Sequence, residues 1–199
     1  MFVTLKKAGI TSAGDLDGKP YSVGPKKSSN EVFGRRVFEA LGVSPKITNL
    51  PTSDASRSLV DGTISGFSIA WPASVVTQLE TQHEVEIVTL NPEEKEKFSK
   101  AFPQYVYLTI PAGEYKALPE ERSNFGLYNL FICDKDLPED FVYKLVKNIY
   151  ENTDVIGSIQ PKMVKGMAFE NLKHTTVPYH PGAAKYFLEM GAEIPEHLM

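Results

Sequence analysis

The sequence predicts an α/β fold, and three observations carry that expectation. Short apolar runs bounded by Gly, Pro or Asn alternate with amphipathic helical stretches over residues 20–101. The helical stretches start at hydroxyl or amide residues and several stop at glycine. Both signals meet in Gly18–Gly42, where an extended stretch, a polar turn and a helix follow one another without a break. With 199 residues, 42% hydrophobic and 23% charged, the chain suits one large domain or two small ones with a real core.

The elements follow in order. Phe2 to Leu5 reads as a strand or connecting segment, and Ser12 to Asp17 as a turn or short helix. Pro20-Tyr21-Ser22-Val23 is extended, and Gly24-Pro25 ends it. Ser28, Ser29 and Asn30 are all good N-cap residues for a helix that starts near Glu31. On a 3.6-residue period Phe33, Val37 and Leu41 share its inner face, and Gly42 closes it in the left-handed conformation. Ile47 to Leu50 is a short strand, Asp54 to Val60 a short helix begun by Thr52 or Ser53, and Ile64 to Ala70 a buried strand. Gly66 in that strand marks a close approach. Pro72 is placed in the first turn of the next helix, with Val75, Val76 and Leu79 as its stripe. Val85 to Leu90 is a strand, and Asn91 caps a charged helix.

From Phe102 the character changes. Tyr105 to Ile110 is a strong strand, whose alternation puts Tyr105 and Tyr107 on one face. Phe125 to Cys133 reads as a long apolar strand crossing between lobes. Asp136-Leu137-Pro138-Glu139 resembles a capping box, and the helix behind it carries Phe141, Val142, Leu145, Val146 and Ile149 on one face. A last helix begins at His180-Pro181-Gly182.

Composition narrows the function. The net charge is -4 and no Lys/Arg block stands out, so nothing supports a nucleic-acid partner. No apolar run approaches the roughly 20 residues of a bilayer-spanning helix. Lys6 and Lys7 follow the short apolar start, which is not the pattern of a secretory signal peptide. Cys133, the one cysteine, rules out an intramolecular disulfide and is expected to be an inert core thiol.

Catalysis finds little support. His83, His174, His180 and His197 fit no metal-ligand spacing, so no metal and no cofactor are expected. Glu93-Glu94-Lys95-Glu96 reads as a solvated helix face, and neither G-x-G-x-x-G nor the phosphate-cradling lysine motif is present. No enzyme is therefore expected. Recognition does better. Ser28, Ser29 and Asn30 sit where a helix offers unpaired N–H groups and roughly half a positive charge. Two readings of that turn stand side by side, a structural cap and an anion seat. Trp71, directly before Pro72 at a strand end, and Tyr105 are open both to core packing and to ligand contact.

Several motifs resemble, in order, the TAXI family of solute-binding proteins, the receptor subunits of a class of TRAP transporters. Asp15-Leu16-Asp17-Gly18-Lys19 is similar to its D-L-x-G-K segment, and Tyr21-Ser22-Val23-Gly24 to its V-S-V-G strand. Pro25 to Glu31 stands where the family has A-P-G-S-G-T-E, and Glu39-Ala40-Leu41-Gly42 ends the helix as the family does. Asp61 to Phe67 is similar to D-G-x-I-D-A-F, and Tyr105 to Tyr115 to Y-x-Y-x-x-x-I-P-A-G-x-Y. The D-L-P-E-D segment is Asp136 to Asp140, and Tyr179 to Gly191 is similar to the closing L-H-P-G-A-x-x-Y-Y-x-E-x-G.

The resemblance implies a type II periplasmic-binding fold: a mixed sheet flanked by helices in one lobe, plus C-terminal elements of the other. It implies a small acidic solute, an amino acid or a dicarboxylate such as glutamate, bound in an interlobe cleft. It further implies a TRAP permease as partner and a periplasmic location, with cytoplasmic retention the alternative for a chain lacking a leader. Ser28, Ser29 and Asn30 then hold the anion, and Trp71 and Tyr105 face the cleft. Residues 1–15 become a crossover from a first lobe missing here, 16–128 the second lobe, and 129–199 the return to the first. The family's two turn glycines are lost at Lys27-Ser28-Ser29-Asn30, which implies an altered anion site, and Ser65 replaces an aspartate. Such a truncated chain is expected to associate through exposed C-terminal apolar faces. The alternative function is a ligand-incompetent fragment with a structural or interaction role.

Overall fold

The computed structural model describes residues 1–159 and 161–199, Lys162 in its backbone only. The chain divides into two compact units, Met1–Gly126 and Leu127–Met199.

Unit 1 is built on a five-stranded mixed sheet with helices on both faces. Its strands are β1 (Phe2–Leu5), β2 (Pro20–Ser22), β3 (Lys46–Thr48), β4 (Gly66–Ser68) and β5 (Val85–Val88), in the order β3-β2-β4-β1-β5. β2 pairs in parallel with β3 and β4, Tyr21 lying opposite Ile47 and Gly66. β1 runs antiparallel between β4 and β5, Val3 opposite Phe67 and Ile87. The α/β class expected from the alternation is therefore the observed one.

The pleat sends alternate side chains to two cores. Val3, Leu5, Phe67 and Ile87 face the helices α2 (Thr52–Val60) and α3 (Ser74–Leu79), where Leu59, Val76 and Leu79 complete one cluster. Phe2, Tyr21 and Val88 face α1 (Ser29–Leu41) and α4 (Pro92–Ala101), where Val37, Phe38 and Phe98 complete the other. Gly66 is the expected close approach. A Cβ there would stand 2.8 Å from the Val3 carbonyl oxygen and 3.0 Å from the Tyr21 ring. The Tyr21 hydroxyl meets Ser68 Oγ at 3.1 Å, so the one polar atom of this buried ring is satisfied. A two-stranded ribbon of β6 (Val106–Ile110) and β7 (Arg122–Gly126) pairs Leu108 with Asn124.

Unit 2 is helical: α5 (Glu139–Glu151), α6 (Thr153–Ile159), α7 (Pro161–Gly166), a 3₁₀ turn at Phe169–His174, and α8 (Pro181–Glu189). Its core gathers Val142 of α5, Leu172, and Ala183, Tyr186 and Phe187 of α8. Gly182 is the contact point of α8 on α5, where a Cβ would run into the Glu139 carbonyl oxygen.

Several local expectations need correction. β7 ends at Gly126, so the apolar run to Cys133 is not a strand. Residues 127–133 lie outside any strand and their large apolar groups are exposed, Phe131 at 96% and Ile132 at 81%. Cys133 is accordingly exposed rather than a core thiol. Pro72 follows a cis Trp71–Pro72 peptide and precedes α3, whose N-cap is Ala73, so it is outside the first turn. Pro51, not Thr52 or Ser53, stands at the N-cap of α2. Pro138 is the N-cap of α5 and gives no side-chain cap, while Asp136 pairs with Lys135 at 2.6 Å. Tyr105 precedes β6 and is buried, whereas Tyr107, its ring 4.5 Å from that of Phe125, is 53% exposed. The stripe of α5 is also split. Val142 and Val146 pack into the unit 2 core, while Phe141 and Leu145 remain half exposed.

Candidate functional site

The parallel strands β2, β3 and β4 end side by side, and their C-terminal ends are where an open α/β sheet forms its crevice. The chain leaves β2 toward β3 on one side, through α1. It leaves β4 toward β5 on the other, through α3. Strand order thus reverses between β2 and β4, and the segments after them hold Ser28, Ser29, Asn30 and Trp71.

The turn after β2 is fixed from beneath. Ser22 is fully buried, and its Oγ accepts the N–H groups of Gly24 at 3.4 Å and Leu50 at 3.3 Å, tying the ends of β2 and β3 together. Gly24 takes a φ of +94°, and a Cβ there would lie 3.0 Å from Asn30 Cβ, so only glycine folds the turn under the helix start. Its carbonyl oxygen accepts Asn49 Nδ2 at 2.9 Å. Lys27 stands in the left-handed region at φ +63°.

α1 is capped as expected: Ser28 Oγ accepts the Glu31 N–H at 3.2 Å. Glu31 then turns back over the turn. Its Oε2 accepts the Lys27 N–H at 2.6 Å and its Oε1 accepts Arg35 Nε at 3.0 Å. The Lys27 N–H first, then Arg35, with the Asn49 side chain contributing, hold this carboxyl below the usual carboxylate range. Part of the positive end of α1 is therefore already met by a carboxylate of the chain itself. Ser29 is exposed at the first helical position, and Asn30 is half-buried at the second.

Trp71 lies three residues past β4 and is half-buried against the core that holds Phe67 and Val76. Beside it the Ala73 N–H donates to the Tyr115 hydroxyl at 2.8 Å, and burial raises that phenol's pKa. Tyr105 stands apart, in the aromatic core under α1 and α4. Its ring is 5.0 Å from Phe98 and 5.5 Å from Phe33 between centroids, and its hydroxyl accepts Arg36 Nη1 at 3.1 Å. The structure thus gathers Ser28, Ser29 and Asn30 on one turn, puts Trp71 at the end of the neighbouring strand, and sets Tyr105 into the core.

Ser22, Lys27, Glu31 and Asn49 were not singled out from sequence. For Glu31 the signal existed, since Ser28-x-x-Glu31 is a capping-box pattern. For Asn49 and Ser22 none did, because their role depends on β3 lying beside β2. Two shallow depressions elsewhere on unit 1, one including Lys95, Ser99 and Tyr107 and the other Arg57, Gln78 and His83, contain none of the five candidates. Among the described residues no cluster of His, Cys, Asp or Glu is arranged to hold a metal ion, and no helix is long and apolar enough to cross a membrane.

Residues 1–191 match the model of the NMT1-like family. No curated protein matches the chain in sequence. Among solved structures the chain is similar to the periplasmic aliphatic sulphonate binding protein SsuA from Escherichia coli. The two are 19% identical with a TM-score of 0.39, over 52% of this chain and 40% of that one. It is similar to the alkanesulfonate-binding protein SsuA from Xanthomonas axonopodis pv. citri bound to MOPS, at 20% identity and TM-score 0.39, over 44% and 30%. It is also similar to the Lactococcus lactis GlnP substrate binding domain 2 in open conformation, at 16% identity and TM-score 0.37, over 50% and 49%. The chain spans less than half the length of these three neighbours.

Proposed function

Because the chain belongs to the NMT1-like family, we propose that it acts as a solute receptor: it binds a small acidic molecule, an amino acid or dicarboxylate such as glutamate, and delivers it to a TRAP-type permease outside the cytoplasm. One observation carries this reading. The capped N-terminus of α1 lies at the C-terminal end of β2, beside the end of β4, where the strand order reverses. Helix geometry leaves the N–H groups of Ser29 and Asn30 without intrahelical acceptors, and these are the donors for a solute carboxylate. Ser28 holds the turn that presents them, and Trp71 offers an indole face from the next strand end. Tyr105 contributes from the core, by seating Arg36 and the inner face of α1. The reading involves no catalysis and no cofactor.

Titration calorimetry with glutamate, other dicarboxylates and small organic acids tests it. A saturable heat is expected for at least one of these, weakened severalfold or more in a Ser28→Ala/Asn30→Ala double variant. Losing the Ser28 cap, worth about 1 kcal/mol, loosens the turn that presents the Ser29 and Asn30 N–H groups, and Asn30→Ala removes the amide side chain beside them. Equal affinity in parent and double variant overturns the site.

A second reading, a ligand-incompetent chain with a structural or interaction role, is favoured by the Glu31 carboxylate. It satisfies the Lys27 N–H from within, as an external anion would. No heat with any acid in the series decides for it.

A further inference from the structure

The ring of His180 is engaged at both nitrogens. Nδ1 accepts the Gly182 N–H at 3.1 Å and so caps α8, where Ser, Thr, Asp or Asn usually stands. Nε2 lies 3.1 Å from the carbonyl oxygen of Leu137, in the segment that leads into α5. A carbonyl oxygen only accepts, so Nε2 carries the hydrogen and Nδ1 the lone pair. The geometry requires the neutral Nε2–H tautomer. An imidazolium carries hydrogens on both nitrogens and cannot accept from Gly182.

This joint sits at the closest approach of two helices. Gly182 lies against the Glu139 carbonyl oxygen and the Tyr143 nitrogen, with no room for a Cβ. Directly behind it Ala183, Tyr186 and Phe187 pack with Val142 to form the core of unit 2. A single imidazole therefore links the start of α8 to the residues before α5, over the point where the two helices touch.

We infer that His180 is a pH-operated latch on α8. Taking up a proton removes the Gly182 cap and places a cation at the positively polarised end of the helix, where it is unfavourable. The Leu137 contact alone then remains. The sign follows from the neutral ring being the one that fits. The stability contributed by the latch is present while the ring is neutral and is lost when the ring takes up a proton. The charged groups on the surrounding elements are Asp136, paired with Lys135; Glu139 and Asp140 in the first turn of α5; and Lys185 on α8, 3.7 Å from Glu139. His174 and His197 are the other imidazoles of unit 2, so the experiment must separate His180 from them.

Two measurements on the full chain do so. Nitrogen chemical shifts of the His180 ring on the basic side of the range, at about pH 7.5, are expected to show a protonated Nε2 and a bare Nδ1. Hydrogen exchange at the Ala183 and Ala184 amides, corrected for intrinsic rate, is then compared at about pH 7.5 and about pH 5.5. Protection in the parent is expected to fall about fivefold or more, and in His180→Asn less than twofold, because asparagine caps α8 without titrating. An Nδ1–H tautomer or an imidazolium on the basic side overturns the latch. So does an equal loss of protection in parent and variant. Should the variant fail to fold, the ring shifts of the parent decide alone.

Discussion

Glu31 shows how much one side chain can settle at the start of a helix. Its carboxylate takes the Lys27 N–H and the Arg35 guanidinium, while its own N–H is taken by Ser28 Oγ. These contacts hold its pKa below the ordinary carboxylate value. A group depressed in this way contributes stability that is present above its unfolded pKa and lost as pH falls through its folded one. We expect the Glu31 carboxyl carbon to titrate below the ordinary carboxylate range, and Glu31→Gln to reduce the acid-side loss of stability. A Glu31 titration within the ordinary carboxylate range would remove the basis for this. The pattern Ser28-x-x-Glu31 was visible in the chain. Its partner Asn49 was not, because the two meet only when β3 lies beside β2.

Among the elements, α8 and α5 depend most on fit. α8 presents Gly182, Ala183 and Ala184 at its start, three small buried residues that let its backbone approach α5. Gly182→Ala adds a methyl where the Glu139 carbonyl oxygen already stands. Overpacking of this kind costs about 1–3 kcal/mol. Chemical denaturation followed by unit 2 tyrosine signals is expected to show that loss, while Gly166→Ala, where a Cβ meets nothing within 4 Å, changes little. Equal stability of the two variants would mean that the helices separate at no cost. The sequence showed a wide apolar stripe on α5 but not which part is covered. Only the position of α8, supplied by residues forty positions further on, divides Val142 and Val146 from Phe141 and Leu145. The strand expected to run to Cys133 failed for a related reason. An apolar run becomes a strand only where a neighbour accepts its backbone, and β6 ends its pairing with β7 at Gly126.

At the scale of the whole molecule, strand–helix alternation made the class of unit 1 legible, because each element there carries its own period and its own stops. The candidate site was legible in part. Ser28, Ser29 and Asn30 share a local turn, so sequence alone grouped them, whereas burial of Tyr105 depends on Phe33 and Phe98 reaching it from two helices. Unit 2 leaves large apolar groups in solvent, among them Phe131, Ile132, Phe141 and Leu145. Exposure on this scale favours association. Sedimentation of the full chain is expected to show a mass that rises with concentration, and Phe141→Ser/Leu145→Ser to shift it toward the monomer. A parent that stays monomeric throughout would refute this expectation.

Cys133 is the chain's one thiol, and it lies exposed a few residues past the boundary between the two units. A maleimide dye or spin label added to the unmodified chain therefore attaches at one place, with no background from other cysteines. No engineered cysteine is needed to place a reporter beside that boundary.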